Sequence, residues 1–367
     1  LAPLEAAAPG ERGWLRLFGA RLHNLRGIDV RLPLGALTVV TGVSGSGKSS
    51  LVHGVLRPAL EAALASRRGR GEREASSPAW DRLEGQQRID RVREVDASPI
   101  GRTPRSVPAT YLKIMDELRT LFAATPEARA RGFGPSRFSF NTAGGRCESC
   151  KGQGRIRIDM AFLPDVDEPC PVCEGRRYSP ETLEVRLKGR TIAEVLEATV
   201  AEACEWLGGF ERLRAPLELL RDTGLGYLQL GQPSPTLSGG EAQRLKLAAE
   251  LGRSSRRRTL YVLDEPTTGL HASDTARLLA AFERLLARGD TLVVVEHDLE
   301  VIARANWVID LGPGAGAAGG RVLFEGEPAR LAEADTPTGR ALARWLAHGD
   351  AAPTRVAASH PAAVGSP

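Results

Sequence analysis

The apolar run LTVVT (37–41) leads directly into Gly42-Val43-Ser44-Gly45-Ser46-Gly47-Lys48-Ser49-Ser50, and this junction constrains the fold more than any other stretch of the chain. Glycines spaced in this way let successive backbone N–H groups turn inward around phosphate oxygens, at the start of a helix whose dipole favours an anion. A strand before such a loop and a helix after it make the first unit of a parallel α/β sheet. Lys48 is then placed to reach the outer phosphates of a nucleotide, and the Ser49 hydroxyl to ligate Mg²⁺. A glycine loop without a ligand is the alternative for the motif taken alone.

Three more runs, TLYVL (259–263), TLVVV (291–295) and WVIDL (307–311), have the continuous apolar character of parallel strands buried on both faces. Between the first two, Leu278, Leu279, Phe282, Leu285 and Leu286 recur at helical spacing, with Gly289 as the stop. Strand, helix and strand in that order indicate a parallel α/β sheet. TLYVL ends in Asp264 and Glu265, a pair suited to hold Mg²⁺ and polarise a water; TLVVV is followed by Glu296-His297-Asp298. Ligands of open α/β sheets gather at the carboxyl ends of strands. Phosphate loop, acids and histidine are therefore expected at one edge. A solitary His297 would read as structural, but that convergence makes it a functional candidate.

Between the phosphate loop and these strands lie Cys147-x₂-Cys150 and Cys170-x₂-Cys173, nineteen residues apart. Paired C-x-x-C segments let four thiolates share one tetrahedral ion, and Gly152, Gly154 and Gly175 supply the tight turns that such knuckles need. Zinc is the expected occupant, with redox chemistry or chance as the alternatives. Cys204 stands apart and reads as a packed thiol. From Arg131 to Tyr178 eight bases meet six acids, a net of +2, yet the bases gather in KGQGRIRI and the acids in PDVDE. Phe133, Phe138, Phe140 and Tyr178 are interspersed. A hairpin with one basic limb could lie along a duplex backbone. A purely structural knuckle is the other reading.

Composition adds bounds. The 367 residues carry a net charge of +4, and five of the 49 basic residues are lysines. Arginine grips phosphate in a fixed fork, which suits nucleic acid, though a GC-rich genome gives the same bias. Four of five cysteines in tight pairs argue for a metal site in the cytoplasm rather than a disulfide scaffold. No run of eighteen apolar residues and no secretory leader are visible, so no membrane partner is expected. Residues 63–80 read as an exposed arm and 312–320 as a flexible glycine loop before the edge strand RVLFEG. The chain begins with Leu1 rather than Met, which suggests a piece of a longer protein or a single-module relative.

On Leu237-Ser238-Gly239-Gly240-Glu241 and Glu265-Pro-Thr-Thr-Gly-Leu-His271, the chain resembles the ABC-type ATPases. The resemblance implies that Asp264 organises Mg²⁺, that Glu265 activates the attacking water and that His297 contacts the γ-phosphate. It also implies that Ser238, Gly239 and Gly240 meet ATP bound to a second module, so a partner module is expected. Together with VDASPIGRTPRSVPATY (95–111), ARARGFGPSRFSFNTAGGRCESC (128–150) and MAFLPDVDEPCPVCEGRRY (160–178), these segments resemble the UvrA family over about residues 15–345, in its carboxyl-terminal ATPase half. That family senses damaged duplex DNA in bacterial nucleotide excision repair and loads UvrB, partner proteins making the incisions. ATP, Mg²⁺ and Zn²⁺ are the cofactors implied.

The expected architecture is therefore an α/β ABC-type core with a parallel sheet, interrupted by an inserted zinc-binding domain. Residues 1–100 and 237–346 would form the core, 101–236 the insertion and 347–367 a disordered tail. The family pattern after Asp96 has a glutamine that links Mg²⁺ and the attacking water to the inserted domain; Ala97 stands there, which puts that coupling in doubt. A paralogue protecting DNA against a DNA-binding antibiotic, a transporter ATPase and a non-enzymatic zinc module are the competing readings.

Overall fold

The four apolar runs form the centre of one sheet. The structure, a computed structural model, describes residues 2–67, 79–158, 166–253, 257–270 and 272–348. Most of the charged arm at 63–80, the acids Asp159 and Asp165, His271 and the tail from residue 349 lie outside the described residues. Its strands are β1 (Trp14–Ala20), β2 (Ile28–Pro33), β3 (Leu37–Gly42), β4 (Arg82–Glu84), β5 (Arg91–Val95), β6 (Arg155–Ile158), β7 (Val166–Pro169), β8 (Thr259–Asp264), β9 (Thr291–Val295), β10 (Trp307–Gly312) and β11 (Arg321–Gly326). Two compact units are formed, one from Leu1–Asp96 with Ser254–Pro367, the other from Ala97–Arg253.

In the first unit the order β11-β10-β3-β9-β8-β5 places the phosphate-loop strand in the interior of a six-stranded sheet. All pairings are parallel except β10 with the edge strand β11. β3, β9 and β10 are buried along their whole length, as continuous apolar runs require. The helix Ala272–Ala287 returns the chain from β8 to β9 and buries Leu278, Leu279, Phe282, Leu285 and Leu286. A three-stranded antiparallel layer, β2-β1-β4, shares a core with the sheet: Leu15, Leu17, Val30 and Leu32 pack with Val40, Val55, Leu60, Val262 and Ile309. The layer's alternation of inward apolar and outward polar residues matches a sheet solvated on one side.

The second unit is mainly helical, around a separate core that includes Leu118, Phe122, Phe138, Phe140, Tyr178, Leu217 and Leu245. Its extent departs from the expected insertion at 101–236. The helix Gly239–Leu251 contributes Leu245 and Ala248 to this core, so the signature segment belongs to the second unit and not to the sheet-bearing one. At the other end, the helix Pro337–His348 covers the start of the segment expected as a tail.

Candidate nucleotide site and metal centre

The phosphate loop is shaped by glycines that no other residue could replace. Gly42, Gly45 and Gly47 have φ of 130°, 74° and 110°. A Cβ on Gly42 would come within 2.0 Å of the Leu311 carbonyl oxygen, and one on Gly47 within 2.9 Å of Leu25. The loop is also braced from a distance that the sequence conceals. Gly316 N–H donates to the Gly45 carbonyl at 3.0 Å and Gly320 N–H to that of Ser46 at 2.9 Å. Asn24 Nδ2 donates to Gly45 and Gly316 oxygens at 3.0 and 3.2 Å, tying both loops together. Of residues 312–320, expected as a flexible glycine loop, Gly316 and Gly320 thus buttress the phosphate loop.

Lys48 Nζ donates to the carbonyls of Gly42 (2.9 Å) and Val43 (3.1 Å), which folds it over the loop. Burial holds its ammonium below the usual lysine range, while the charges of Glu265, Asp264 and Asp310 act against that. Ser49 opens the wide-turned helix Ser50–Leu56, and the Ser50 hydroxyl meets His23 Nδ1 at 3.1 Å. The Ser46 hydroxyl is buried and has no hydrogen-bond partner among the described residues. Such turns and such an orphaned hydroxyl fit a cradle for phosphate oxygens.

Asp264 and Glu265 emerge together at the end of β8. Glu265 takes a left-handed φ of 41° and its N–H donates to the Val295 carbonyl at 2.9 Å, so the strand end is locked to β9. His297 Nδ1 lies 3.6 Å from Glu265 Oε1. The structure therefore brings Lys48, Asp264, Glu265 and His297 to one edge.

Two acids there escaped the sequence reading. Glu296 is fully buried, and its carboxylate accepts from Thr267 N–H (3.0 Å), Thr267 Oγ1, His297 N–H (2.7 Å) and Asp298 N–H (3.0 Å). It fixes the backbone that carries His297. Asp310, 1 % exposed, accepts from Thr338 Oγ1 at 2.8 Å and sits in register with Thr41 of β3. Burial pushes its carboxyl up, opposed by Thr336, Thr338 and the charge of Lys48. An acid inside the apolar run WVIDL was the available signal.

In the second unit Ser238 caps the helix Gly239–Leu251 in a reciprocal box: its Oγ accepts from Glu241 N–H at 3.2 Å, and Glu241 Oε2 accepts from Ser238 N–H at 2.7 Å. Tyr227 Oη donates to the other oxygen of Glu241 at 2.7 Å. Gly239 and Gly240 lie in the first turn of this capped helix.

The ligand atoms of Cys147, Cys150, Cys170 and Cys173 all lie within 4.8 Å of one another, and each cysteine is at most 4 % exposed. Zinc–sulfur bonds of about 2.3 Å put tetrahedral sulfurs roughly 3.8 Å apart; the 3.7 Å between Cys150 and Cys173 suits that. Gly154 N–H points at the Cys150 sulfur at 3.2 Å. Burial works against ionisation of Cys170, but the N–H groups of Cys173 and Val172 hold its thiol down at about 6. A closed set of four buried thiols steered by backbone N–H groups fits a structural zinc ion.

The surroundings of this centre correct part of the sequence reading. Phe138, Phe140 and Tyr178 are core residues and cannot stack on bases. Arg177 is buried, donating to the carbonyls of Pro104 and Gly231 at 3.0 Å each. Arg131, Arg137, Arg146 and Arg176 face Glu184, Glu181, Glu148 and Glu174. Lys151, Arg155 and Arg157 are exposed. The limbs pair β6 with β7, setting Arg157 opposite Asp167. Cys204 is half-buried against the helical core, as a packed thiol should be.

No protein-family model matches the chain. It is 56% identical over 335 residues to UvrABC system protein A of Thermus thermophilus, covering 91% of this chain and 35% of that protein. It is 53% identical over 344 residues to UvrABC system protein A of Mycobacterium tuberculosis, covering 94% and 35%. The crystal structure of UvrA2 from Deinococcus radiodurans superposes with a TM-score of 0.84 at 48% identity, over 94% of this chain and 41% of that one. The chain thus spans about a third of the length of the curated relatives it matches. These likenesses each cover more than nine-tenths of a chain that carries the phosphate loop, the paired acids and the four-thiol centre, and the chain is a relative of UvrABC system protein A and of UvrA2.

Proposed function

We propose that this chain is an ATP-hydrolysing, DNA-binding module of bacterial nucleotide excision repair, which senses distorted duplex and takes part in loading UvrB. The observation that carries the reading is a metal-type knuckle with an exposed basic strand, lying in the sequence between the phosphate loop and the signature of an ABC-type ATPase. A second ABC module completes the nucleotide sites, with Ser238, Gly239 and Gly240 of one module facing ATP held by the other. The residues fit a cytoplasmic protein, and among the described residues no helix is long and apolar enough to cross a membrane.

In this reading the glycine cradle and Lys48 bind the phosphates, and Ser49 with Asp264 holds Mg²⁺. The ion supplies charge neutralisation at the phosphates. Glu265 takes the proton of the attacking water, and His297, oriented by its neighbour Glu296, reaches the γ-phosphate. On the DNA side, Lys151, Arg155 and Arg157 contact phosphates along the duplex. Lesions of varied chemistry share a change in duplex deformability, which is what a backbone reader detects.

The test is duplex binding by fluorescence anisotropy, with and without a bulky adduct, at several salt concentrations, with ATP and the second module present. Adduct-favouring, salt-sensitive binding is expected. Arg155→Ala with Arg157→Ala should flatten the slope of log K against log salt by about two, at roughly 0.9 per phosphate contact. Absence of duplex binding would overturn the proposal.

Ala97 bears on the coupling. It lies against the signature segment: a Cβ placed on Gly239 would come within 3.1 Å of the Ala97 Cβ, and Lys246 Nζ donates to Ser98 Oγ at 2.7 Å. Restoring an amide by Ala97→Gln should raise turnover, or its stimulation by DNA, by roughly tenfold, or ~1.4 kcal/mol off the barrier. Steady-state hydrolysis with and without duplex checks this; unchanged rates would make the alanine neutral.

A further inference from the structure

We propose that His53 is a positioning residue for the Asp264 carboxylate, through a bridge that runs from Arg57 and Glu94 across the imidazole. The inference rests on the reading of Asp264 as the acid that holds Mg²⁺. His53 lies one turn beyond Ser49 on the wide-turned helix Ser50–Leu56, a backbone form that recurs at functional sites. Its Nδ1 is 2.9 Å from Glu94 Oε1 and its Nε2 is 3.4 Å from Asp264 Oδ2. Glu94 is held from the other side by Arg57 Nη1, and Arg57 in turn meets Glu61 Oε1 at 2.9 Å. The imidazole is 22% exposed and the Glu94 side chain 25%, against 42% for Asp264. An anchored inner pair thus points at a more exposed outer carboxylate.

Three elements are joined by this bridge. Glu94 sits on β5, in register with Val262 of β8, and Asp264 ends β8. His53 comes from the phosphate-loop helix. The strand-borne acid is therefore oriented by the same helix that begins at Ser49. Partners of this kind fix a ligand's orientation before the ion arrives, and their loss typically weakens metal affinity by about 10–100-fold.

The two nitrogens can be separated by substitution. Glutamine places its amide near the position of Nε2, and asparagine near that of Nδ1. His53→Gln keeps the contact with Asp264, while His53→Asn keeps only the contact with Glu94. The measurement is Mn²⁺ uptake by the full chain with a non-hydrolysable ATP analogue, read from the paramagnetic resonance of free Mn²⁺. Metal-free nucleotide binding is followed in parallel. His53→Ala and His53→Asn should raise the half-saturating Mn²⁺ about tenfold, with His53→Gln close to the parent and metal-free nucleotide binding unchanged. Equal half-saturation in all four proteins would overturn the positioning role and leave the nucleotide site standing. A parent that binds no Mn²⁺ with nucleotide would overturn both.

Discussion

Replacing Glu265 with glutamine should leave ATP bound and lower its hydrolysis by about 10²–10⁴-fold, the usual worth of a positioned general base. Glutamine keeps the volume and the hydrogen-bonding reach of the side chain but cannot accept the proton. Two features of the geometry support the proposed role of this carboxylate. Its backbone is pinned to Val295 in a left-handed conformation, and its side chain is 47% exposed at the strand end, where a water has access. The neighbouring acid cannot substitute for it. Glu296 is 0% exposed and its oxygens are engaged by three backbone N–H groups and the Thr267 hydroxyl. Phosphate release with the second module present, beside equilibrium binding of a fluorescent ATP analogue, checks both halves of the expectation. Turnover that survives the substitution would remove Glu265 from the role of base.

What the sequence made legible follows from how locally each feature is encoded. β3, β8, β9 and β10 were readable because a strand buried on both faces needs an unbroken apolar run, and few other structures tolerate one. β5 was not, since RVREV at the sheet edge has three charges to two valines, no unbroken apolar run, and no glycine or proline at its ends. The antiparallel layer could have been found by its period of two in WLRLFGA and IDVRLP. The boundary of the second unit was only half legible. The polar run GRSSRRR (252–258) does mark residue 253, but nothing local shows that the signature helix before it joins the helical core, which it does through Leu245 and Ala248. At the site, the phosphate loop, the paired acids and the four cysteines were legible because each is a short spacing with one chemistry. The buttress of the loop was not: Asn24 and Gly316 are separated by 292 positions, and nothing local to either segment foretells the contact. Aromatics scattered among arginines look alike whether they face a core or a ligand. Phe138, Phe140 and Tyr178 proved to be core.

Cys170→Ser should release the metal and unfold the segment between Arg146 and Arg177, while the rest of the second unit stays folded. The knuckle has almost no apolar core of its own: among the described residues Ile156 is the hydrophobic side chain packed against the four thiols. Its hairpin pairs strands of four residues each, too short to stand alone in water. Lys151 and Glu174 are both held at φ of 51° and Arg177 at 72°, conformations that cost side-chain-bearing residues about 1–3 kcal/mol each. Something must offset those costs, and zinc ligation, with apparent binding energies of about 10–16 kcal/mol in small knuckles, is large enough. Unfolding should stop at the edges of the segment because Phe140 and Tyr178 belong to the helical core, where Tyr178 Oη donates to the Phe138 carbonyl at 3.1 Å. Hydrogen exchange resolved by segment, before and after chelation and in the serine variant, measures this directly. Protection lost between the two cysteine pairs and kept in the helices Ile114–Ala123 and Gly239–Leu251 is the expected result. If the segment keeps its protection without metal, the cysteines are packed thiols, and the knuckle's shape must then come from its backbone hydrogen bonds, Cys147 N–H to Arg177 and Cys170 N–H to Gly154 at 2.9 Å each.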